Sequence, residues 1–254
     1  MSRRIWILLG AILIAVFVVY LFPAIPQNEA YHDFADAQEF FGVPNFLNVA
    51  SNALFLLVGL PGMWFALRSW KRPNTFLDSS ERWPYFTFFV GVTLTAFGSA
   101  WYHLHPNDYT LVWDRIPMTI AFTSLVAALV AERIDVTAGV RLLVPLIAAG
   151  IGTVLYWDFT QSQGRGDLRP YAIAQFGSLA VLLLLLAIFP ARYTRSADFL
   201  VSLALYGVAK IFEVADRVLF SDLRVVSGHT IKHVFAALSA FWILRMLRLR
   251  SPVS

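Results

Sequence analysis

The chain has 254 residues, of which 58% are hydrophobic and 14% are charged, and its formal net charge at pH 7 is +4. Soluble domains carry roughly 45–50% apolar and about 25% charged residues, so this composition excludes disordered, fibrous and nucleic-acid-binding proteins and indicates a membrane protein. There is no cysteine, which excludes disulfides, thiolate metal sites and cysteine nucleophiles. Any metal must therefore be bound by histidines and carboxylates.

Long apolar runs recur along the whole chain and predict eight membrane-spanning helices. Each run approaches the roughly 20 apolar residues that a helix needs to cross the hydrocarbon core. No internal repeat is evident, so residues 1–254 are expected to form a single transmembrane domain. The predicted fold class is an all-α polytopic membrane helix bundle. The predicted spans are 5–22, 46–68, 84–104, 112–131, 141–157, 170–190, 198–217 and 228–247.

Basic residues fall on alternate loops of this eight-span topology. Thirteen of the twenty lysines and arginines lie on one face, whereas the opposite face begins with an acidic loop. Because cytoplasmic loops carry the excess of Lys and Arg, both termini are expected in the cytoplasm, with the bacterial inner membrane as the expected location. The first span could instead be a signal peptide, but its apolar run is long and no small-x-small cleavage site follows. We therefore expect an uncleaved span.

Ionisable side chains at the ends of three spans mark the candidate site. Such groups are costly inside a membrane and are therefore functional candidates by default. His103 ends the third span, Asp114 opens the fourth, and His229 and His233 open the eighth, all on the predicted non-cytoplasmic side. His229 and His233 are four residues apart, as are Ser99 and His103, so each pair projects from one face of a helix.

Three imidazoles from two helices leave a fourth tetrahedral position open, which is typical of a catalytic zinc site. Zinc suits imidazole ligands and lowers the pKa of a bound water to about 7. Asp114 could accept a proton from that water, and the Ser99 hydroxyl could hydrogen-bond the developing oxyanion. Two structural alternatives stay open. Ser99 could be a small packing residue, and Asp114 could cap its helix or pair with Arg115.

Two other histidines are left out of this site. His105 follows His103 by two residues and would face another way on a continuing helix. His32 lies in the first loop, where we expect its side chain to be solvated. The metal prediction therefore rests on three of the five histidines.

The seventh predicted span contains four ionisable residues. Lys210 and Glu213, like Glu213 and Arg217, have helical pairing spacings, so mutual neutralisation inside the bundle is the simpler interpretation. Asp216 lies nearer the predicted metal and could orient a ligand histidine.

Three segments of the chain resemble the alkaline ceramidase family and its bacterial relatives. That family belongs to a superfamily of seven-span membrane hydrolases and receptors with a Ser-x3-His, Asp, His-x3-His pattern. The similarity covers roughly residues 30–247, and it implies a seven-helix core at 46–247 that begins near Phe46–Asn52, with 5–22 as one extra N-terminal span. The three segments are Gly98-Ser99-Ala100-Trp101-Tyr102-His103, Trp113-Asp114-Arg115-Ile116-Pro117-Met118 and Gly228-His229-Thr230-Ile231-Lys232-His233.

The resemblance also implies zinc-dependent hydrolysis of an amide bond within a lipid. By position, His103, His229 and His233 would be the zinc ligands, and Ser99 and Asp114 would assist the reaction. Asp216 also matches an aspartate of the family.

A possible calcium site lies ahead of the first core helix. Family members with this site carry a tryptophan and several acidic ligands there, whereas this chain has Phe34 in place of the tryptophan. Calcium takes 6–8 oxygen ligands, so the smaller number of charges implies weaker binding, and an ordinary acidic loop is the alternative. The oxygen donors that remain are Asp33, Asp36, Gln38 and Asn45.

These observations predict a zinc-dependent integral-membrane amidase that hydrolyses a ceramide-like N-acyl lipid. Its expected partners are the bilayer and the lipid substrate, with no nucleic acid and no obligate protein partner. One alternative is a lipid-binding receptor or sensor with the same fold and metal but no turnover. Another is a transporter with intramembrane proton relays. Many transporters are built from internal repeats, and no repeat is evident in this sequence.

Overall fold

The computed structural model describes residues 2–69 and 75–253, which form helices and turns with two isolated bridges and no strand. The predicted all-α bundle is confirmed. Lys71 and Arg72, which contributed to the predicted sidedness, lie outside the described residues. The helices are α1 (Arg3–Tyr20), α2 (Phe46–Ala50), α3 (Ala53–Arg68), α4 (Arg82–Leu104), α5 (Asp108–Arg133), α6 (Val136–Ser162), α7 (Arg169–Ala172), α8 (Ser178–Ile188), α9 (Asp198–Val214), α10 (Asp216–Leu223) and α11 (Gly228–Leu249).

Among the described residues, six helical segments are long and apolar enough to cross a membrane. The third and seventh predicted spans are helical but are not in this set, since α4 contains several polar side chains and α9 has 17 residues. A π-turn at Ile173–Gly177 joins α7 to α8. The six segments are Arg3–Tyr20, Phe46–Arg68, Asp108–Arg133, Val136–Ser162, Arg169–Ile188 and Gly228–Leu249.

Side chains cap the helices that carry the candidate site. Asn107 accepts from the backbone N–H of Thr110, and the Thr110 hydroxyl accepts from the backbone N–H of Asn107, so α5 begins with a capping box. Ser227 caps α11 in the same way, by accepting from the backbone N–H of Thr230. Asp114 lies in the second turn of α5, so the alternative that it caps its helix is wrong.

The seventh predicted span is shorter than expected. Helix α9 ends at Val214, and Asp216 and Arg217 open the separate helix α10. The predicted pairing of Lys210 with Glu213 is confirmed. The predicted pairing of Glu213 with Arg217 is wrong, because it needs one continuous helix; Arg217 instead pairs with Asp33, with Nη2 2.6 Å from Oδ2.

Ion pairs tie several helix ends together at one end of the bundle. They join the start of α4, the end of α5, the start of α9 and the end of α11. The helices alternate in direction, so the starts of α5 and α11 and the end of α4 lie together at the opposite end, with the candidate site. The pairs are Arg250–Glu132 at 2.6 Å, Arg192–Glu81 at 3.7 Å and Arg245–Asp198 at 3.6 Å.

Helix α1 lies at the periphery of the bundle and packs against α8. Leu8 is its one buried residue, whereas Leu13 and Phe17 are well exposed. An apolar helix that is exposed over most of its surface suits a lipid environment. The main hydrophobic core lies between α3, α4, α5, α8 and α11.

Candidate metal centre

Helices α4 and α5 approach each other closely where the candidate site begins. A Cβ atom at Gly98 would lie 2.0 Å from the carbonyl oxygen of Trp113, so only glycine fits at this contact. Ser99 and Asp114 are the next residues on the two helices. The close approach therefore places Ser99 and Asp114 beside each other on the facing helices.

His103 of α4 and His229 and His233 of α11 form one buried cluster. Their ring centroids lie 4.8 Å apart for His103 and His229, and 5.0 Å apart for the two pairs that include His233. One nitrogen of each ring lies within 4.8 Å of the other two. The cluster could hold a metal ion, and the structure thus brings together the three histidines predicted as ligands.

The ring nitrogens of His103 and His233 fit a metal ion. The Ser51 hydroxyl donates to the Asn48 carbonyl at 3.1 Å, so it accepts from His233 Nδ1 at 2.7 Å and leaves a lone pair on His233 Nε2. This Nε2 and both ring nitrogens of His103 are buried without a hydrogen-bond partner. Because buried polar atoms normally have partners, these lone pairs favour a missing ligand, and imidazole donors suit zinc.

His229 differs from the other two histidines because a lysine contacts its ring. Lys232 Nζ lies 3.1 Å from His229 Nε2 and 3.0 Å from Glu213 Oε1. An ammonium group can only donate, so His229 accepts this hydrogen bond. The sequence pattern does not predict Lys232 as part of the site, although its position three residues after His229 places both on one helix face.

Asp216 holds the first turn of α11 and not a histidine ring. Its Oδ1 accepts from the backbone N–H of His229 at 2.7 Å, and its Oδ2 accepts from the backbone N–H of Ala35 at 3.1 Å. Helix α11 begins very close to Asp216, since a Cβ atom at Gly228 would lie 2.7 Å from the Asp216 Cα. Asp216 therefore anchors the first turn of α11, which carries His229.

Phe34 covers two of the three histidines from the loop between α1 and α2. Its ring centroid lies 4.7 Å from that of His103 and 4.9 Å from that of His229. Phe34 is buried. The loop thus closes one side of the histidine cluster and leaves the side toward Ser99 and Asp114 open.

On that open side lies a cavity of about 350 Å³. Ser99, Asp114 and His233 line its polar end, and the volume suits a small-molecule ligand. The alternative that Asp114 pairs with Arg115 is not what the structure shows. Arg115 Nη2 donates instead to Gln27 Oε1 at 2.6 Å.

The cavity extends between α8 and α9. Helix α9 packs against α11, and α8 packs against α5 and α1, so α8 and α9 have little contact with each other. Leu179 and Leu203 line the cavity from either side of this gap. A hydrogen bond crosses it, from Gln175 Nε2 of the π-turn to the Tyr206 hydroxyl at 2.6 Å.

Three of the four side chains named for calcium bond to groups elsewhere in the structure. Asp33 pairs with Arg217, Gln38 donates to the Arg224 carbonyl and Asn45 donates to the His103 carbonyl. Asp36 is fully buried, and its Oδ2 has no hydrogen-bond partner. Burial raises the pKa of the Asp36 carboxyl group, and the nearby Asp216 adds to this effect. In the described part of the chain, no contact joins all four side chains around one point.

The expectation of a solvated His32 is wrong. Its Nδ1 lies 3.0 Å from the Tyr102 hydroxyl, and its Nε2 lies 3.0 Å from Asp108 Oδ1. His32 therefore pins the first loop to the ends of α4 and α5, close to the site but without contact to the three histidines. His105 is exposed and lies outside the cluster, as the sequence predicts.

No protein-family model matches this chain, and no curated protein matches it. The site must therefore be interpreted from its own geometry.

Ser51 is expected to set metal affinity through His233. In Ser51→Ala, Nδ1 loses its acceptor, so the ring is free to turn and to change tautomer. We expect zinc affinity to fall by about 10–100-fold, the usual effect of losing a group that orients a ligand histidine. Competitive titration with a zinc-sensitive dye measures this. Ser162→Ala, an exposed serine at the same end of the bundle, is the control, and unchanged affinity in Ser51→Ala would contradict the assignment.

Proposed function

We propose that this protein is a zinc-dependent integral-membrane amidase that hydrolyses the amide bond of a ceramide-like N-acyl lipid. The observation that carries the proposal is the buried cluster of His103, His229 and His233, which has orphaned ring nitrogens and opens toward Ser99 and Asp114. Three histidines with an open position are typical of catalytic zinc and not of structural zinc.

Zinc bound by the three histidines would supply a Lewis acid that activates water and polarises a carbonyl group. Asp114 then acts as the general base and accepts the proton from the attacking water. The Ser99 hydroxyl donates a hydrogen bond to the carbonyl oxygen as negative charge develops there. Asp114 returns its proton to the departing amine nitrogen, so that the amide becomes a carboxylic acid and an amine.

The cavity supports a substrate with a long apolar chain. Most of its lining is apolar, including Phe88, Val92 and Leu125. The gap between α8 and α9 provides a lateral path from the bilayer. Phe34 closes the opposite side of the cluster, which keeps the reacting end of the substrate away from bulk water.

The test is metal analysis combined with turnover of N-acyl lipids by the purified full-length protein. We expect about one zinc per chain and release of free fatty acid from at least one ceramide-like amide, with loss of release after chelation. Matched esters and glycerophospholipids serve as control substrates. Lipid binding with zinc present but no release from any amide would overturn the amidase and favour the receptor instead.

We also propose that the site lies at the non-cytoplasmic face, with both termini in the cytoplasm. The support is the concentration of basic residues at the other end of the bundle. A reporter fused after Ser254 is expected to report a cytoplasmic location, and one inserted at residues 105–107 an external one. The reverse pattern would contradict this orientation.

A further inference from the structure

The polar end of the cavity carries excess positive charge. Within the described part of the chain, five charged side chains line it: the cations Arg115, Lys210 and Lys232, and the anions Asp114 and Glu213. Lys210 and Lys232 both form their ion pair with Glu213. One carboxylate cannot neutralise two ammonium groups, so this end of the cavity has an unbalanced charge even before a metal is counted.

Arg115 is held in place by several contacts, and its Nη1 nitrogen is left without a partner. Its Nη2 donates to Gln27 at 2.6 Å, and its guanidinium lies 4.2 Å from the Trp157 ring centroid and 4.7 Å from that of Tyr171. The residue is 5% exposed, and its Nη1 is buried without a hydrogen-bond partner. A buried donor without an acceptor is costly, and a guanidinium that is already fixed binds an anion without further ordering.

The charged end is continuous with an apolar chamber. Val92, Leu125, Leu179 and Leu203 line the remainder of the same cavity. A ligand that fills both parts needs an apolar chain and a head group that is negatively charged. The oxygen of a neutral head group could accept a hydrogen bond from Arg115 Nη1, but it would leave the positive charge unbalanced.

We propose that the cavity selects N-acyl lipids whose amine portion carries an anionic group, a carboxylate or a phosphate. Arg115, Lys210 and Lys232 bind that group, the amide lies near Ser99, and the acyl chain fills the apolar chamber. This inference rests on the proposed function for the identity of the amide. The preference for an anion comes from the charges of the cavity and does not require turnover.

Binding to the metal-free, full-length protein tests the preference. Chelated protein in a non-ionic detergent is titrated with three oleoyl amides of equal chain length: N-oleoylglycine, O-phospho-N-oleoylethanolamine and neutral N-oleoylethanolamine. Because buried charged contacts contribute strongly to affinity, at least one anionic compound is expected to bind about 10-fold more tightly than the neutral one. The two anionic compounds distinguish a carboxylate from a phosphate. Equal affinity for all three would overturn the proposal.

Two variants assign the preference to these side chains. Arg115→Gln and Lys210→Met are each expected to reduce the anionic preference by about 5–10-fold while the neutral compound binds as before. Arg165→Gln, an exposed arginine on the same end of the bundle, is the control and should keep the full preference. Lys210→Met decides the matter if Arg115→Gln fails to fold, and an unchanged preference in every folded cavity variant would overturn the proposal.

The outcome is independent of the amidase test. Tight anionic binding without hydrolysis by the zinc-loaded protein would refute the proposed function and leave this inference standing. Hydrolysis of the neutral amide, with no anionic preference in binding, would refute this inference and leave the proposed function standing.

Discussion

His233→Ala is expected to lose most of the zinc that the proposed site predicts for the parent protein, about one ion per chain. The substitution removes an imidazole ring whose Nδ1 is held by Ser51 and whose Nε2 lone pair is available for a metal ion. Two remaining imidazoles bind zinc far more weakly than three. His229→Ala should behave in the same way, and elemental analysis of metal per protein after dialysis against a weak chelator measures both.

The matched control is His105→Ala. His105 lies two residues from His103, at the same end of the bundle, but it is exposed and outside the cluster. We expect this variant to keep its zinc and its melting temperature. Stoichiometric zinc in the double variant His229→Ala/His233→Ala would refute the metal site.

Asp114→Asn is expected to lower turnover by about 10²–10⁴-fold, the range for removal of a general base. Asparagine keeps the size of the side chain and can still accept hydrogen bonds, but it cannot take a proton from water. Zinc content and melting temperature should therefore stay close to those of the parent protein. All three quantities are measured on the same preparation, with N-acyl lipid hydrolysis as the activity.

Asp108→Asn is the control for this prediction. Asp108 opens the same helix, but it pairs with His32 and does not line the cavity, so turnover should change little. If Asp114 were purely structural, the lower turnover of Asp114→Asn would be accompanied by a matching loss of zinc or of melting temperature. Full activity in Asp114→Asn would remove this residue from the mechanism.

The sequence predicts the helices well because apolar runs and polar breaks follow from the cost of burying charge in a membrane. The break between α9 and α10 at Ala215 is not predictable in this way. No proline or glycine marks it. Asp216, the first residue after the break, accepts from the backbone N–H groups of His229 and Ala35, and spacing along one helix does not reveal these contacts.

The three predicted ligands could be found from the sequence because His103, His229 and His233 lie at span ends that the topology places together. The residues that surround them could not be found in this way. Ser51 and Phe34 reach the cluster from α2–α3 and from the first loop, and their contacts cross long sequence separations. Spacing along one helix can reveal a histidine pair, but only the packing of different helices reveals which groups orient and cover it.

Asp216 links the first loop to the helical turn that carries His229. One carboxylate oxygen holds the backbone of His229, and the other holds Ala35, which follows Phe34 directly. If a ligand at the histidines moves the first turn of α11, these two hydrogen bonds would carry that movement to the loop that covers the cluster. Reciprocity would then require that a second ligand bound at the loop change the affinity of the histidine site by the factor by which its own affinity is changed.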